Sequence, residues 1–343
     1  MASANGKIGI AIQGAGTVSA GHLRAYLKHP GCEVVAIGSR TKAGAEAKAR
    51  EVGLDPASIA LYDSVEELVA DPNVDALSIT TPHQRHAIDA IAAAKAGKHI
   101  LVEKPIAMDV EETLAIDAAV RDAGVISVCG FVLRHNPMVH AIKAIRDQGL
   151  LGDILYVQTD YWHNPEQSGY PGSENHLQHL DTSLMLGGGC HAIDLARYLM
   201  GSDIVQVAAV AATRDASIPY PSMQSAVLTF ANGKIGKVSA CGEQWMPYQF
   251  NVDLLGSEGG VRDNRFYSRR IPGADSWIEI PTITPNSGLV SHHPFEGEIA
   301  HFIDCIRSGT ESHVSVHDGV NTHKAAFAID QSCAEGGRAI RID

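Results

Sequence analysis

Short, unbroken apolar runs alternate with amphipathic stretches through the first part of the chain. The runs fall at 7–13, 33–37, 75–80, 98–102 and 125–129, with helical stretches at 18–28, 43–52, 64–70, 84–96 and 109–123. Apolar runs without polar alternation belong to strands buried on both faces, and strand–helix alternation of this kind builds a parallel sheet covered by helices. The stretch 84–96 is rich in alanine, and Gly97 follows it as a C-terminal stop. After about residue 130 the pattern changes. A helix at 137–148 precedes Gly149 and Gly152, and alternating segments follow at Ile154–Tyr161, Ile204–Ala212, Gln224–Phe230, Ile235–Ala240 and Phe250–Leu255. Ala231-Asn232-Gly233, between two of them, is a hairpin signature. These segments predict a largely antiparallel sheet, with two more helices near 294–308 and 318–335. The expected fold is α/β, with a parallel-sheet domain over 1–130 and an α+β domain over 131–343.

Length and composition agree with two soluble domains: 343 residues, 45% hydrophobic and 19% charged. The net charge of −12 argues against a nucleic-acid partner, which calls for a basic patch. The six cysteines are scattered without a CxxC pair, the pattern of reduced, buried thiols in the cytoplasm. The opening MASANGKIG has no apolar secretion core, and no stretch of about 18 apolar residues occurs, so neither export nor a membrane partner is expected.

Candidate chemistry sits at the ends of the apolar runs. The first run feeds Gly14-Ala15-Gly16-Thr17-Val18-Ser19, a glycine turn opening a helix, with Ser19 where a third glycine is usual. Such a turn rests a dinucleotide pyrophosphate on a helix N-terminus, which makes Gly14, Gly16, Thr17 and Val18 the expected contacts. An acid about 20 residues on commonly bonds the ribose diol of NAD. Here the second run ends in Gly38-Ser39-Arg40-Thr41-Lys42, with no acid. The forked donors of Arg40, with Ser39 beside it, suit a phosphate, so NADP is the expected cofactor. Stacking of Arg40 on the adenine, with NAD also bound, is the alternative. The third site is Thr81-Pro82-His83-Gln84-Arg85-His86, where Thr81, Pro82, His83 and His86 suit contact with a nicotinamide ribose, or Thr81 simply caps a helix. Lys104 ends the run His99–Pro105, at a strand end where ligands of open parallel sheets collect.

Together these motifs resemble those of the glucose–fructose oxidoreductase / inositol dehydrogenase / rhizopine-catabolism (Gfo/Idh/MocA) family. The likeness lies in the glycine turn with His22 behind it, Thr-Pro-x-x-x-His at 81–86, Glu-Lys-Pro at 103–105 and Gly-Cys-His-Ala-Ile-Asp at 189–194. It extends to the run Glu298-Ile299-Ala300-His301-Phe302 and beyond, covering nearly the whole chain. The resemblance implies a Rossmann domain, an open-faced sheet domain that joins subunits into a dimer or tetramer, and hydride transfer between a nicotinamide and a sugar, cyclitol or related compound. It makes Lys104 the residue at the reacting oxygen, Glu103 and Lys104 part of the cofactor site, and His191 the catalytic histidine.

The chain departs from the family's D-x-x-x-H pattern, because Gly187 stands four residues before His191. Three consecutive glycines, 187–189, suit a helix poorly, at about 1 kcal/mol each. Close backbone approach or room for a bulky ligand is the expected reason. His176, His179 and Asp181 are candidate replacements for the missing acid, none fixed by spacing. Asp194 is expected to cap or orient. Trp162, like Tyr161 and Tyr170, packs on the sheet or stacks on a sugar. His163, His176, His179 and His191 lack the spacing that puts two ligands on one helix face, so no metal is expected. Two other activities fit the same residues: glycoside cleavage by elimination with a retained cofactor, and a non-catalytic nucleotide sensor.

Overall fold

The computed structural model describes residues 6–168, 176–282 and 293–343; Tyr170 lies outside them. The chain divides into two units. Unit 1 comprises residues up to Val132 together with Pro294–Val320, and unit 2 comprises Leu133–His293 and Asn321–Asp343. The first crossing lies between Val132 and Leu133, and a segment near the C-terminal end groups with unit 1.

In unit 1 the strands and helices alternate as β1 (Ile8–Gln13), α1 (Thr17–Lys28), β2 (Cys32–Gly38), α2 (Lys42–Glu51), β3 (Ala60–Tyr62), α3 (Val65–Ala70), β4 (Ala76–Ile79), α4 (His86–Lys95), β5 (His99–Val102), α5 (Val110–Ala123) and β6 (Ser127–Cys129). The six strands are parallel, in the order β3-β2-β1-β4-β5-β6. Strand order reverses between β1 and β4, which opens a crevice at their carboxyl ends. Gly14 sits at that point with φ +111, and an added Cβ would lie 2.6 Å from the Thr80 carbonyl. Only glycine fits both the dihedral and the approach. Short β3 is half-buried throughout and was not expected from the apolar pattern.

Unit 2 begins with α6 (Pro137–Asp147) and continues through β7 (Ile154–Trp162), α7 (Cys190–Met200), β8 (Ile204–Ala212), β9 (Met223–Phe230), β10 (Ile235–Cys241), β11 (Gln249–Gly256), β12 (Gly259–Arg262), β13 (Arg265–Ser268) and β14 (Ile278–Glu279). Helix α8 (Phe295–Ser308) then belongs to unit 1, α9 (Val316–Ala334) gives its first residues to unit 1 and the rest to unit 2, and β15 (Ile340–Arg341) ends the chain. Among the described residues nine strands run β14-β13-β12-β11-β7-β10-β9-β8-β15, with the β7–β10 pair parallel and the other pairs antiparallel.

Successive strand residues face opposite sides. Thr159 and Tyr161 point toward α7, where the Thr159 hydroxyl donates to Ala192 O at 2.7 Å. Gln158, Asp160 and Trp162 point to the other face. There Asp160 accepts from Lys237 at 2.6 Å and from Gln158 at 2.8 Å. Around this polar centre Val210, Val227, Ile235 and Leu255 are 65%, 56%, 50% and 46% exposed.

All six cysteines are free thiols, four of them buried. Among the described residues no helix is long and apolar enough to cross a membrane.

Candidate active site

Helix α1 begins at Thr17 with Gly16 as its N-cap, no side-chain cap bond and no acid in its first turn. Its first amides and the positive end of its dipole are thus left for an anion. An added Cβ at Gly16 would meet nothing nearer than Thr80 O at 3.9 Å, so the missing side chain leaves open space above the turn. Thr17 and Val18 are exposed. Ser19 turns inward and donates to Gly16 O at 2.6 Å, which buries its hydroxyl inside the turn. This geometry fits a dinucleotide.

Beyond β2, Ser39 is half-buried and Arg40 exposed, and Arg40 enters no ion pair among the described residues. Thr41 caps α2 by accepting from Gly44 N at 3.1 Å. At the end of β4 the Thr81 hydroxyl donates to buried Asp89 at 2.9 Å, and Arg85 holds the other oxygen at 2.7 Å. Thr81 therefore anchors the loop and caps no helix. His86 ties two loops together, its ring nitrogens lying 2.9 Å from Thr81 O and 2.7 Å from Pro105 O. Pro82 is exposed and His83 half-buried, with the His83 ring set edge-on to His86 at 5.7 Å.

Lys104 lies two residues beyond the end of β5 and is half-buried. Glu103, between the strand and Lys104, is buried. Its Oε1 lies 2.9 Å from His22 Nε2, and its Oε2 accepts the Lys104 amide at 3.0 Å. Burial works to raise the Glu103 carboxyl, but the His22 bond and the neighbouring Lys104 outweigh it and hold the group below the usual glutamate range. Gly130 allows this packing, because a Cβ there would sit 3.0 Å from the Glu103 carboxylate.

In unit 2, His191 lies in the first turn of α7 and is 1% exposed. Its ring stacks on Tyr161 at 6.1 Å and meets His293 edge-on at 5.9 Å. Tyr161 bonds His163 Nδ1 at 3.1 Å, and Tyr248 sits edge-on to both, 5.6 Å and 5.1 Å away. Burial pushes the Tyr161 and Tyr248 hydroxyls well above the usual phenol range. Both stay neutral at neutral pH.

The three glycines form a π-helical turn, Met185–Gly189, ahead of α7. A Cβ at Gly188 would lie 2.5 Å from the Tyr161 ring, and one at Gly189 2.7 Å from Met185 and 2.8 Å from Ala240. Close approach therefore explains these two. Gly187 is less confined, since among the described residues a Cβ would meet the Thr182 hydroxyl alone, at 2.8 Å.

Asp194 is buried and grips Arg134 through two bonds, 2.7 Å and 2.5 Å, with Thr322 at 3.4 Å. Trp162 lies on the sheet face opposite α7 and donates to Ser239 at 2.9 Å. His176 and His179 bound an exposed 3-10 turn, and Asp181 is half-buried beyond it. Sequence reasoning passed over Tyr248, His293 and Glu298. For Glu298 a signal existed, because this acid stands one turn from Phe302 on the apolar face of its helix.

The model of an oxidoreductase family with an NAD-binding Rossmann fold, GFO_IDH_MocA, matches residues 8–131, and that of the GFO/IDH/MocA C-terminal domain matches 139–262. The chain is 28% identical over 313 residues to scyllo-inositol 2-dehydrogenase (NAD(+)) of Bacillus subtilis, covering 90% of this chain and 88% of the relative. It is 27% identical over 323 residues to D-xylose 1-dehydrogenase (NADP(+)) 2 of Haloferax volcanii, covering 91% and 92%. Among solved structures, levoglucosan dehydrogenase in complex with NADH and levoglucosan shares the fold, with a TM-score of 0.86 at 23% identity over 98% of this chain and 99% of that one.

The buried Asp194–Arg134 pair gives a prediction. Asp194→Ala leaves an uncompensated buried guanidinium and is expected to cost about 3–5 kcal/mol of unit 2 stability, read from the urea unfolding midpoint. Unchanged stability with lost turnover would instead make Asp194 a reacting group.

Proposed function

Because this chain belongs to the Gfo/Idh/MocA oxidoreductase family, we propose that it moves a hydride between a nicotinamide and the secondary alcohol or ketone carbon of a sugar, cyclitol or glycoside. The observation that carries this reading is Lys104. It stands at the carboxyl end of β5, in the same sheet as the glycine turn, on a main chain held by the Glu103 carboxylate.

The cofactor would be held by Gly14, Gly16, Thr17 and Val18 at the pyrophosphate, Ser39 and Arg40 at the adenosine ribose, and Thr81, Pro82, His83 and His86 toward the nicotinamide. Bound there, the nicotinamide supplies a carbon that accepts or gives the hydride. Lys104 binds the reacting oxygen and helps remove its proton in oxidation, and returns it in reduction. His191 takes or relays that proton, and does so without a carboxylate one turn before it. The missing side chain at Gly187, less confined than Gly188 and Gly189, supports a substrate larger than a free monosaccharide, a glycoside among them. The exposed apolar residues Val210, Val227, Ile235 and Leu255 support a homo-oligomer, a dimer or tetramer, joined through that sheet face.

We also read the cofactor as NADP in preference to NAD. Arg40 is exposed, unpaired among the described residues, and no acid follows β2. Relatives named for NAD and for NADP both occur, so a titration decides. Arg40→Ala removes a charge-assisted bond of about 1.5–3 kcal/mol and should weaken NADP(H) by roughly tenfold or more while leaving NAD(H) nearly unchanged. Equal wild-type affinity for the two cofactors contradicts this preference.

The activity is tested by following nicotinamide absorbance with inositols, aldoses and glycosides. Lys104→Ala should retain cofactor and melting temperature while turnover falls about 10²-fold or more. His191→Ala should lower kcat far more than it raises KM. No turnover by the wild type over the whole panel would favour the nucleotide-sensing alternative. Cleavage of glycosides without net reduction of added cofactor would favour elimination.

A further inference from the structure

A second carboxyl group lies behind Glu103. Glu298, in the first turn of α8, is fully buried, and neither of its oxygens has a hydrogen-bond partner among the described residues. One ligating atom each from His22, Glu103 and Glu298 lies within 4.8 Å of the others. Helix α8 is brought here by packing on α1. The Phe295 ring sits 5.0 Å from the His22 ring, and Gly21 makes room, since a Cβ there would lie 2.8 Å from Phe295.

The ionisable groups facing Glu298 are His22 and Tyr26 from α1 and Glu103 at the end of β5, with Lys104 next to it. Lys28 pairs with Glu296 at the exposed side of α8 and is spent there. Burial keeps the Tyr26 hydroxyl neutral, and that hydroxyl bonds Ser78 at 2.7 Å. Glu103 already uses Oε1 on His22 and Oε2 on the Lys104 amide. The Lys104 charge acts on Glu103, and among the described residues no side chain bonds the Glu298 oxygens. Two buried carboxylates at this separation do not both ionise, and the one with bonds keeps the charge.

We propose that Glu298 is a proton-binding site, occupied at neutral pH, whose neutral carboxyl lets Glu103 keep its single charge and its hold on His22 and the Lys104 main chain. Glu298 is on this account a positioning residue. Burial, then the Glu103 charge, push its carboxyl well above the usual glutamate range, in the direction the geometry requires. A cation held by the three side chains is the competing occupant. It is disfavoured by His22, whose Nε2 already faces the Glu103 carboxylate at bonding distance and has no lone pair to give a metal while donating there.

Linkage gives the sign. A carboxyl raised in the folded state adds stability that is complete below the unfolded glutamate pKa and is lost as pH rises through the folded value. Wild-type stability should therefore fall relative to Glu298→Gln between about pH 5 and the folded pKa, by up to about tenfold in the unfolding constant per pH unit. Gln keeps the shape and neutrality, so Glu298→Gln should match wild type near pH 5. A difference between the two that does not change with pH overturns the proposal. A second measurement needs no variant. Wild-type protein with carbon-13 glutamate should show, at neutral pH, the infrared carbonyl band of a protonated glutamic acid, lost as pH is raised. Absence of that band, or a metal ion recovered one-to-one with the purified protein, overturns the proposal. Neither arm uses turnover, so the outcome is separate from that of the proposed activity.

Discussion

The Glu103 carboxylate has to be both buried and charged, and the elements around the end of β5 are arranged to allow it. A buried carboxylate is costly unless hydrogen bonds and opposite charge replace the lost water. Glu103 receives a ring nitrogen from α1 and its neighbour's amide from the β5 turn. One side chain thereby couples the helix that follows the glycine turn to the strand end that presents Lys104. Gly130 and Gly21 are small where they are because this cluster leaves no room for a side chain. Helix α8 closes the cluster with Glu298 and Phe295, which is why a segment from near the C-terminal end folds with the first unit.

Unit 2 solves a different problem. His191 is buried against the Tyr161 ring, whose hydroxyl burial keeps neutral, and beside the His293 ring. The glycine triplet lets α7 come close to Tyr161, and Asp194 is committed to Arg134. A carboxylate one turn before His191 is thus absent without another acid visibly taking its place in the turn itself.

Much of this was legible where the signal is local. The glycine turn, the charged pair after β5 and the absence of an acid after β2 are each read within a few residues, and the structure puts each at a strand end. Strand parity also separates Tyr161 from Trp162, since adjacent residues face opposite sides. What escaped depends on distant partners. Glu298 stands out locally as an acid on an apolar helix face, but its partners emerge only when α8 is seen against α1 and Glu103. The glycines at 187–189 read as a weakened α-helix, whereas the ring of Tyr161 and the Ala240 methyl explain Gly188 and Gly189, and the turn is π-helical. The short strands β12 to β15 have two to four residues each, too few for an alternation to stand out.

The central claim is that Lys104 is held at a strand end to serve direct hydride transfer to a nicotinamide. Isotope transfer tests it most directly. The protein is incubated with oxidised cofactor and cyclitols, sugars or glycosides deuterated at the reacting carbon, and the reduced cofactor is examined by mass spectrometry and proton resonance. The account predicts deuterium at the nicotinamide C4 position, on one face, with none lost to water. Product formation with the label released to solvent, or no label transfer from any compound of these classes, would contradict it.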